Sequence, residues 1–276
     1  MKYLFLLLLM VFAHGVQATS ETLTLKKNGQ MVKAVSLNDL SQTKSLSKLT
    51  ADNPSDSRIT HYQGILLTTL LNQVFDNSWK QSEAIKFTAA DGYRVIIPTT
   101  LITRHTGFIA TGEVGRKGFS RIQRKNDESI DPGPFFLVWE NIQDSSAKKE
   151  HWLSWPWQLS SIELTTFAKE NPNSAPPENS DVKAKQGFLD FQQHCIKCHT
   201  INGDGGHIGP ELNFPANVTE YWHEDWLKRF INDPQSVRAN SKMIPFYKDV
   251  ENREQIIKSI LVYLKAMKDK KKAPIN

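Results

Sequence analysis

The chain has 276 residues, of which 39% are apolar and 23% charged, the composition of an ordinary globular protein. Its length suits one large domain or two modest ones, and we expect two. The formal net charge of +5 is spread along the chain, without the clustered basic residues and interleaved aromatics of a nucleic-acid binder. Nucleic acid is therefore not an expected partner.

Residues 1–18 have the pattern of a secretory signal peptide. Lys2 is followed by an apolar run over residues 3–13, and Val16 and Ala18 provide the small-residue pattern of a cleavage site near Ala18. The apolar run is too short to span a membrane stably, and no other stretch approaches the length of a membrane helix. We therefore expect an exported protein without a stable membrane span, which in bacteria lies in the periplasm.

Residues 19–170 show the alternating patterns and turn signals of an α+β domain. An Asn-Gly pair at residues 28–29 and an Asp-Gly pair at residues 91–92 each predict a β-hairpin. Apolar residues at helical spacing predict a helix that begins behind Gly64 and ends near Asn77. The polar stretch over residues 36–58 is predicted to be irregular. Further strands are predicted over residues 135–139 and 159–167.

Three stretches of this region carry a likeness to a known family: residues 62–67 (Tyr-Gln-Gly-Ile-Leu-Leu), residues 87–93 (Phe-Thr-Ala-Ala-Asp-Gly-Tyr) and the predicted strand at residues 134–139. They resemble the molybdopterin-binding domain of the sulfite oxidase family. The resemblance implies a shortened form of that fold. Both cysteines of the chain lie elsewhere, so the thiolate that binds molybdenum in the family has no counterpart. Molybdopterin is therefore not an expected cofactor.

A proline-rich stretch separates two halves with different patterns. Residues 171–180 contain no apolar residue larger than alanine or proline, and the prolines favour an extended, partly stiff connector. Hairpin signals dominate before this stretch, and helical spacing dominates after it. We therefore place a linker at residues 171–182 and a second domain at residues 183–276.

Both cysteines of the chain lie in one motif, Cys195-Ile196-Lys197-Cys198-His199. The pattern C-x-x-C-H is the attachment sequence of c-type haem, in which each thiol adds to a vinyl group of one porphyrin and the histidine is aimed at the iron. A disulfide-exchange site needs no histidine here, and a zinc site needs a second pair of ligands. The motif predicts one covalent haem c at Cys195 and Cys198, with His199 as an iron ligand.

Further features stand at fixed distances from this motif. Gly187 and Phe191 precede the first cysteine by eight and four residues, and a Gly-Pro-Glu-Leu segment follows at residues 209–212. These positions resemble class I c-type cytochromes, and the resemblance extends over the whole second domain. It implies an all-α cytochrome c domain. In that family the carbonyl at the position of Pro210 accepts a hydrogen bond from the ligand histidine, and the leucine at the position of Leu212 packs on the porphyrin.

The resemblance also implies a second axial ligand. Met243 lies in a Ser-Lys-Met-Ile-Pro-Phe segment that is similar to the family's ligand loop, in which a methionine precedes a nearby proline. His207, His223 and Met267 are the alternatives, but His207 lies in a glycine-rich loop and Met267 near the charged C-terminus. His194 and His223 are expected at the surface. A haem iron with histidine and methionine ligands has no open position and transfers single electrons.

These features predict a periplasmic single-electron carrier, not an enzyme. Its expected partner is a redox protein such as a periplasmic dehydrogenase, an oxidase or another cytochrome, and we expect the first domain to recognise that partner. The alternative is an oxidoreductase subunit whose first domain binds a pterin or a substrate and passes electrons to the haem. The methionine loop argues against a haem peroxidase, and the absence of an output domain argues against a haem-linked redox sensor.

Overall fold

The computed structural model describes residues 21–41, 44–123, 129–206, 208–248 and 250–273. Its strands are β1 (Thr22–Lys27), β2 (Gln30–Ser36), β3 (Ser47–Asn53), β4 (Arg58–Leu66), β5 (Ala84–Ala89), β6 (Arg94–Pro98), β7 (Gly107–Glu113), β8 (Ile122–Gln123), β9 (Ser129–Ile130), β10 (Phe136–Trp139), β11 (Leu159–Thr165), β12 (Thr200–Ile201) and β13 (Asp204–Gly205). Its α-helices are α1 (Leu37–Ser41), α2 (Leu67–Phe75), α3 (Thr99–Arg104), α4 (Phe167–Glu170), α5 (Val182–His194), α6 (Val218–Tyr221), α7 (Glu224–Asn232), α8 (Pro234–Val237) and α9 (Arg253–Met267). Two 3-10 helices span Asp76–Gln81 and Ser145–Lys149.

The first sheet begins at the predicted amino-terminal hairpin. β1 and β2 pair antiparallel through a turn at Asn28 and Gly29, whose φ angles of 53° and 80° are the left-handed geometry that an Asn-Gly turn provides. In β1, Leu23 and Leu25 are fully buried, as alternation requires of a strand with one core face. The strand order is β2-β1-β11-β5-β6. β1 is parallel to β11, and all other neighbours are antiparallel. The predicted hairpin around residues 91–92 forms β5 and β6.

The second sheet is antiparallel throughout, in the order β10-β7-β4-β3. Leu137 and Trp139 of β10 belong to the main apolar core, whereas Phe136 and Val138 belong to a smaller cluster. Alternate residues of a strand point to opposite faces of its sheet, so β10 is covered on both sides. Helix α2, predicted from its apolar spacing, contacts β4 and β7. The chain before residue 171 is thus a mixed, sheet-rich α+β region.

The prediction that residues 36–58 are irregular is wrong. This stretch forms α1, β3 and the beginning of β4. β3 pairs with β4 alone and is therefore an edge strand. Its sequence, Ser-Lys-Leu-Thr-Ala-Asp-Asn, is polar at most positions. Backbone pairing with β4 therefore defines this strand, and no apolar alternation in the sequence predicts it.

The second part of the chain contains the helices that its sequence predicts. The Asp181 carboxylate caps α5 by accepting a hydrogen bond from the Ala184 N–H at 2.7 Å. Helix α7 ends at Asn232, directly before Asp233 and Pro234, and α9 occupies the predicted C-terminal helix. The short β12–β13 ladder is an addition to the expected all-α arrangement.

Helices α5 and α9 cross at close range and form the core of this part. Phe188 and Phe191 of α5 pack against Tyr263 of α9, with ring centroids 5.7 and 5.3 Å apart. At the crossing, a Cβ on Gly187 would lie 1.9 Å from the Ser259 carbonyl oxygen. Glycine is therefore required at residue 187 for this helix contact.

The connector after residue 170 is folded against the second part of the chain. Ser174 is fully buried; its N–H donates to the Asp204 carboxylate at 3.0 Å, and its carbonyl accepts from the Tyr263 hydroxyl at 2.6 Å. The Asn171 side-chain amide donates to Gln192 of α5 at 2.7 Å. The expectation of an extended connector is wrong for this first part of it, because the N–H groups of Ser174 and Ala175 both donate to the Asn171 carbonyl at 3.2 Å and form a turn. The domain bounds themselves stay a prediction.

Among the described residues, no helix combines the length and the apolar character needed to cross a membrane. The signal peptide predicted for residues 1–18 lies outside the described part of the chain.

Candidate functional site

The two cysteines and the following histidine form a turn at the end of α5. The Cys195 N–H donates to the Phe191 carbonyl at 2.9 Å, and the N–H groups of Cys198 and His199 donate to the Cys195 carbonyl at 3.0 and 2.9 Å. Both cysteines are half-buried free thiols. Burial raises the pKa of the Cys195 thiol to about 12, so this thiol is neutral at pH 7. The turn, called the attachment turn below, presents two thiols and one imidazole.

The Gly-Pro segment orients the imidazole of His199. Its Nδ1 lies 2.9 Å from the Pro210 carbonyl oxygen. Since a carbonyl only accepts, Nδ1 carries the hydrogen and Nε2 keeps its lone pair for a metal. Gly209 permits this approach, because a Cβ there would lie 2.5, 2.7 and 2.9 Å from three ring atoms of His199. His199 and Pro210 thus make the contact that the resemblance implies.

Glu211 holds the same segment in place, a role that sequence analysis did not assign. Its carboxylate accepts hydrogen bonds from four backbone N–H groups at 2.8, 3.0, 2.9 and 3.2 Å, those of Asn202, Gly203, Asn213 and Phe214. Desolvation acts to raise the pKa of this carboxyl, but the backbone donors outweigh it and the pKa is lowered. The carboxylate therefore joins the loop after His199 to the loop that carries Pro210.

Three buried asparagines fasten these loops to the end of α9. Asn202, Asn213 and Asn217 are at most 1% exposed. The Asn213 amide donates to Asn202 Oδ1 at 2.8 Å, and the Asn217 amide donates to Asn213 Oδ1 at 2.7 Å. Their other N–H groups donate to the carbonyls of Leu264 and Lys270. Because buried amides need such partners, the three side chains hold both loops in one arrangement.

Leu212 and Met243 are both half-buried and pack against the main apolar core. The loop of Met243 is tethered at Phe246. The Phe246 N–H donates to the Ile231 carbonyl at 3.1 Å, and its carbonyl accepts from the Arg253 guanidinium at 2.9 Å. Met243 is therefore a partly exposed residue on a loop that is held in place.

The competing ligands lie in different surroundings. His223 is exposed, as expected, at the start of α7, with Nδ1 3.8 Å from the Asp225 carboxylate. Met267 is fully buried in α9 among core residues. His207 lies outside the described residues. Of the described candidates, only Met243 combines partial exposure with a position on a loop.

His194 is not the surface residue that sequence analysis predicts. Its ring centroid lies 4.8 Å from that of Phe246 and 6.4 Å from that of His151. Both ring nitrogens are buried without a hydrogen-bond partner among the described residues. Desolvation, together with the charges of His151 and Lys197, lowers the pKa of His194 to about 4. The ring is therefore neutral at pH 7.

The first domain covers one side of this site through the segment around His151. The His151 ring stacks on Tyr247 with 3.9 Å between centroids. Its carbonyl accepts a hydrogen bond from Lys197 Nζ at 3.1 Å, and the Ser154 hydroxyl lies 3.4 Å from the same nitrogen. These contacts join the first domain to the attachment turn and to the loop of Met243.

The donor set of the site fits a covalently attached haem. It offers two free thiols, an imidazole whose Nε2 is available, and a thioether on the loop that contacts His194 through Phe246. Both cysteines of the chain belong to this set, so no cysteine is left for molybdenum in the first domain. Among the described residues, no group of three or more His, Cys, Asp or Glu side chains is placed to hold a metal ion.

Helical fold and donor set together define a haem-binding electron-transfer domain in the second part of the chain. The family model Cytochrome c matches residues 184–268, a stretch that contains the attachment turn, the Gly-Pro segment and the loop of Met243. The second part is therefore a cytochrome c domain. No curated protein matches the chain. The family match does not extend to residues before 184, and the likeness of the first domain to the sulfite oxidase family stays a prediction.

Proposed function

We propose that this protein is a periplasmic single-electron carrier with one haem c, attached at Cys195 and Cys198 and ligated by His199 and Met243. The observation that carries the proposal is the 2.9 Å contact between His199 Nδ1 and the Pro210 carbonyl. It leaves Nε2 as the one nitrogen of this ring able to bind iron, beside two free thiols. When bound, a c-type haem supplies a reversible one-electron couple.

The residues of the chain decide which chemistry this site allows. An imidazole and a methionine thioether that together held the iron would favour its ferrous state and raise the potential, and two protein ligands would leave no open position for oxygen or peroxide. The hydrogen bond from His199 Nδ1 to the Pro210 carbonyl fixes the ring and increases its basicity. Glu211 holds that carbonyl in place through its backbone bonds. Single-electron transfer without substrate chemistry at the iron is the expected result.

We assign partner recognition to the first domain. The linker that follows it is bonded to the cytochrome domain through Ser174 and Asn171, and His151 of the first domain stacks on the ring of Tyr247. A redox partner that approaches from this side meets residues of the first domain before it meets the attachment turn. The docking surface then includes both domains, and the first domain sets which partners fit.

The alternative function is an oxidoreductase subunit whose first domain binds a pterin or a substrate and passes electrons to the haem. A cavity of about 440 Å³ between the first domain and the attachment turn favours it. Ile196 and Lys197, the residues between the two cysteines, belong to the cavity wall. A reductant held there would lie next to the haem.

Electron count and metal content distinguish the two functions. Coulometric titration of the full-length protein should give one electron per haem, and elemental analysis should find iron without a matching amount of molybdenum or tungsten. A further electron per haem, or near-stoichiometric molybdenum, would instead support the alternative.

Attachment is tested separately with a Cys195→Ala, Cys198→Ala double variant. If it is exported normally, it should carry no haem that survives extraction with acidified acetone, because no thioether can form. Haem that resists this extraction in the double variant would contradict the assignment.

A further inference from the structure

The cavity between the two domains has walls from both of them. The first domain contributes Tyr93, Arg94 at the start of β6, and Trp152, and the cytochrome domain contributes Ile196 and Lys197. Its volume of about 440 Å³ falls in the range of sites for small organic molecules. It opens beside the attachment turn but contains none of the proposed haem ligands.

One cation of the cavity wall is already neutralised. Lys86 Nζ lies 2.9 Å from a carboxylate oxygen of Glu163 and 2.9 Å from one of Glu170. These two carboxylates, of which Glu170 also lines the cavity, compensate the positive charge of Lys86.

Two other cations of the wall have no carboxylate partner among the described residues. The partners of Lys197 Nζ are neutral: the His151 carbonyl at 3.1 Å and the Ser154 hydroxyl at 3.4 Å. Arg94 makes no side-chain hydrogen bond or ion pair with the described residues. Both residues are exposed and line the cavity, so each cation can pair with an anion that enters it.

Besides the polar side chains of Ser154, Glu170, Asn171 and Gln192, the rest of the wall is apolar and aromatic. Trp152 is 8% exposed and packs against Phe167 with ring centroids 5.0 Å apart. Tyr93, Ile96 and Ile196 complete this apolar surface. Flat aromatic groups pack well against such walls.

We infer that this cavity binds a small aromatic carboxylate, whose anionic group lies between Arg94 and Lys197 and whose ring packs against Trp152. The two cations belong to different domains, so the bound anion bridges them. The Arg94 guanidinium can donate two parallel hydrogen bonds to a carboxylate, and Lys197 Nζ can donate a third. This inference goes beyond the proposed electron transfer and does not depend on it.

Calorimetric titration of the haem-loaded, full-length protein tests the inference, with 2-naphthoate as the probe and 2-naphthamide as its neutral counterpart. We expect 2-naphthoate to bind at least about tenfold more tightly than 2-naphthamide, because only the carboxylate pairs with the cations. Sulfate should bind more weakly than 2-naphthoate, because it cannot use the apolar wall.

Matched variants locate the site. Arg94→Gln and Lys197→Gln should each weaken 2-naphthoate binding by about five- to tenfold, the effect of losing one charge-assisted bond. Arg104→Gln and Lys258→Gln remove exposed cations that do not line the cavity and should leave binding unchanged. An unchanged far-ultraviolet circular dichroism spectrum and thermal denaturation midpoint in all four variants confirm that they fold.

Four results would overturn the inference. The first is no 2-naphthoate binding at concentrations up to about 10 mM, the weak limit for a small ligand. The second is equal binding of 2-naphthoate and 2-naphthamide. The third is a similar loss of binding in the cavity variants and the control variants, which would indicate attraction to net charge alone. The fourth is sulfate binding as tight as that of 2-naphthoate. It would mean that the cavity binds an inorganic oxyanion without using its aromatic wall.

Discussion

The imidazole of His151, in the first domain, stacks on the ring of Tyr247, in the loop that carries Met243, with 3.9 Å between centroids and 17° between planes. His151 Nε2 is buried without a hydrogen-bond partner among the described residues, so this ring holds Tyr247 by packing alone. The proposed ligand loop is therefore in direct contact with a residue of the other domain.

His151→Ala should loosen this loop, because it removes one face of the stack. A stacked aromatic pair contributes about 0.5–1.5 kcal/mol, so amide hydrogen exchange over residues 244–248 should rise by about two- to tenfold. His151→Phe is the matched control, since it keeps a ring and removes the buried unpaired nitrogen. Its exchange should equal that of the natural protein or be slower, as measured by mass spectrometry.

Equal exchange in the natural protein, His151→Ala and His151→Phe would mean that the loop is held by the cytochrome domain alone. The bonds of Phe246 to α7 and to Arg253 are the contacts that could do so.

Met243→Ala should open the iron to external ligands, because it removes the proposed thioether. We expect loss of the weak sulfur-to-iron charge-transfer absorption and new binding of cyanide or carbon monoxide. Met267→Ala removes a fully buried methionine of α9. This control should lower the free energy of unfolding by about 2–5 kcal/mol without changing the ligand spectrum. Cyanide binding that is unchanged in Met243→Ala would point to another ligand, and His223→Ala would be the next variant.

Gly209→Ala should disturb the haem itself, since the added Cβ would lie 2.5 Å from an imidazole atom of His199. The ring must move, which breaks its bond to Pro210, and the reduction potential and absorption spectrum should both change. Gly187→Ala places its Cβ 1.9 Å from the Ser259 carbonyl oxygen, far from that ring. This variant should lower the denaturation midpoint of the domain while the remaining folded protein keeps its spectrum. An unaltered spectrum and potential in Gly209→Ala would contradict the role of this contact.

Asp190→Asn should stabilise the cytochrome domain at pH 7. The Ser259 hydroxyl has one hydrogen, yet it contacts both the Ile256 carbonyl at 2.7 Å and the Asp190 carboxyl. Both contacts are satisfied when Asp190 is protonated and donates, and burial does raise its pKa above 3.8. Because the folded state holds this proton more tightly, stability falls as pH rises from about 3.8 through the folded-state pKa.

Asparagine has a hydrogen-bond donor at every pH, as the protonated acid does. The loss of stability with rising pH should therefore be absent in Asp190→Asn. Urea unfolding of the two proteins should differ by about 1 kcal/mol at pH 7 and much less at pH 4. Asp269→Asn, at an exposed position near the end of the chain, should show no such difference. A variant that is less stable than the natural protein at pH 7 would mean that the carboxylate is the form that the fold needs.

Local sequence determined the features that depend on neighbouring residues. The Asn28-Gly29 turn is defined by backbone geometry that these two residue types adopt easily. The attachment turn is likewise defined within five residues, and α5 by the Asp181 cap and its apolar spacing. Local sequence does not predict β3, because a polar edge strand has no apolar alternation and forms by pairing with β4.

Tertiary structure alone decided how the halves of the molecule meet. Glu211 appeared in the sequence as one acidic residue between a proline and a leucine, but its backbone partners come from two loops brought together by folding. His194 has the local sequence of a surface histidine, yet His151 and Phe246 cover it. Contacts of this kind join residues far apart along the chain, so no local sequence pattern predicts them. The cavity between the domains has the same origin, because its cations and its aromatic wall become neighbours only when both domains are folded and packed.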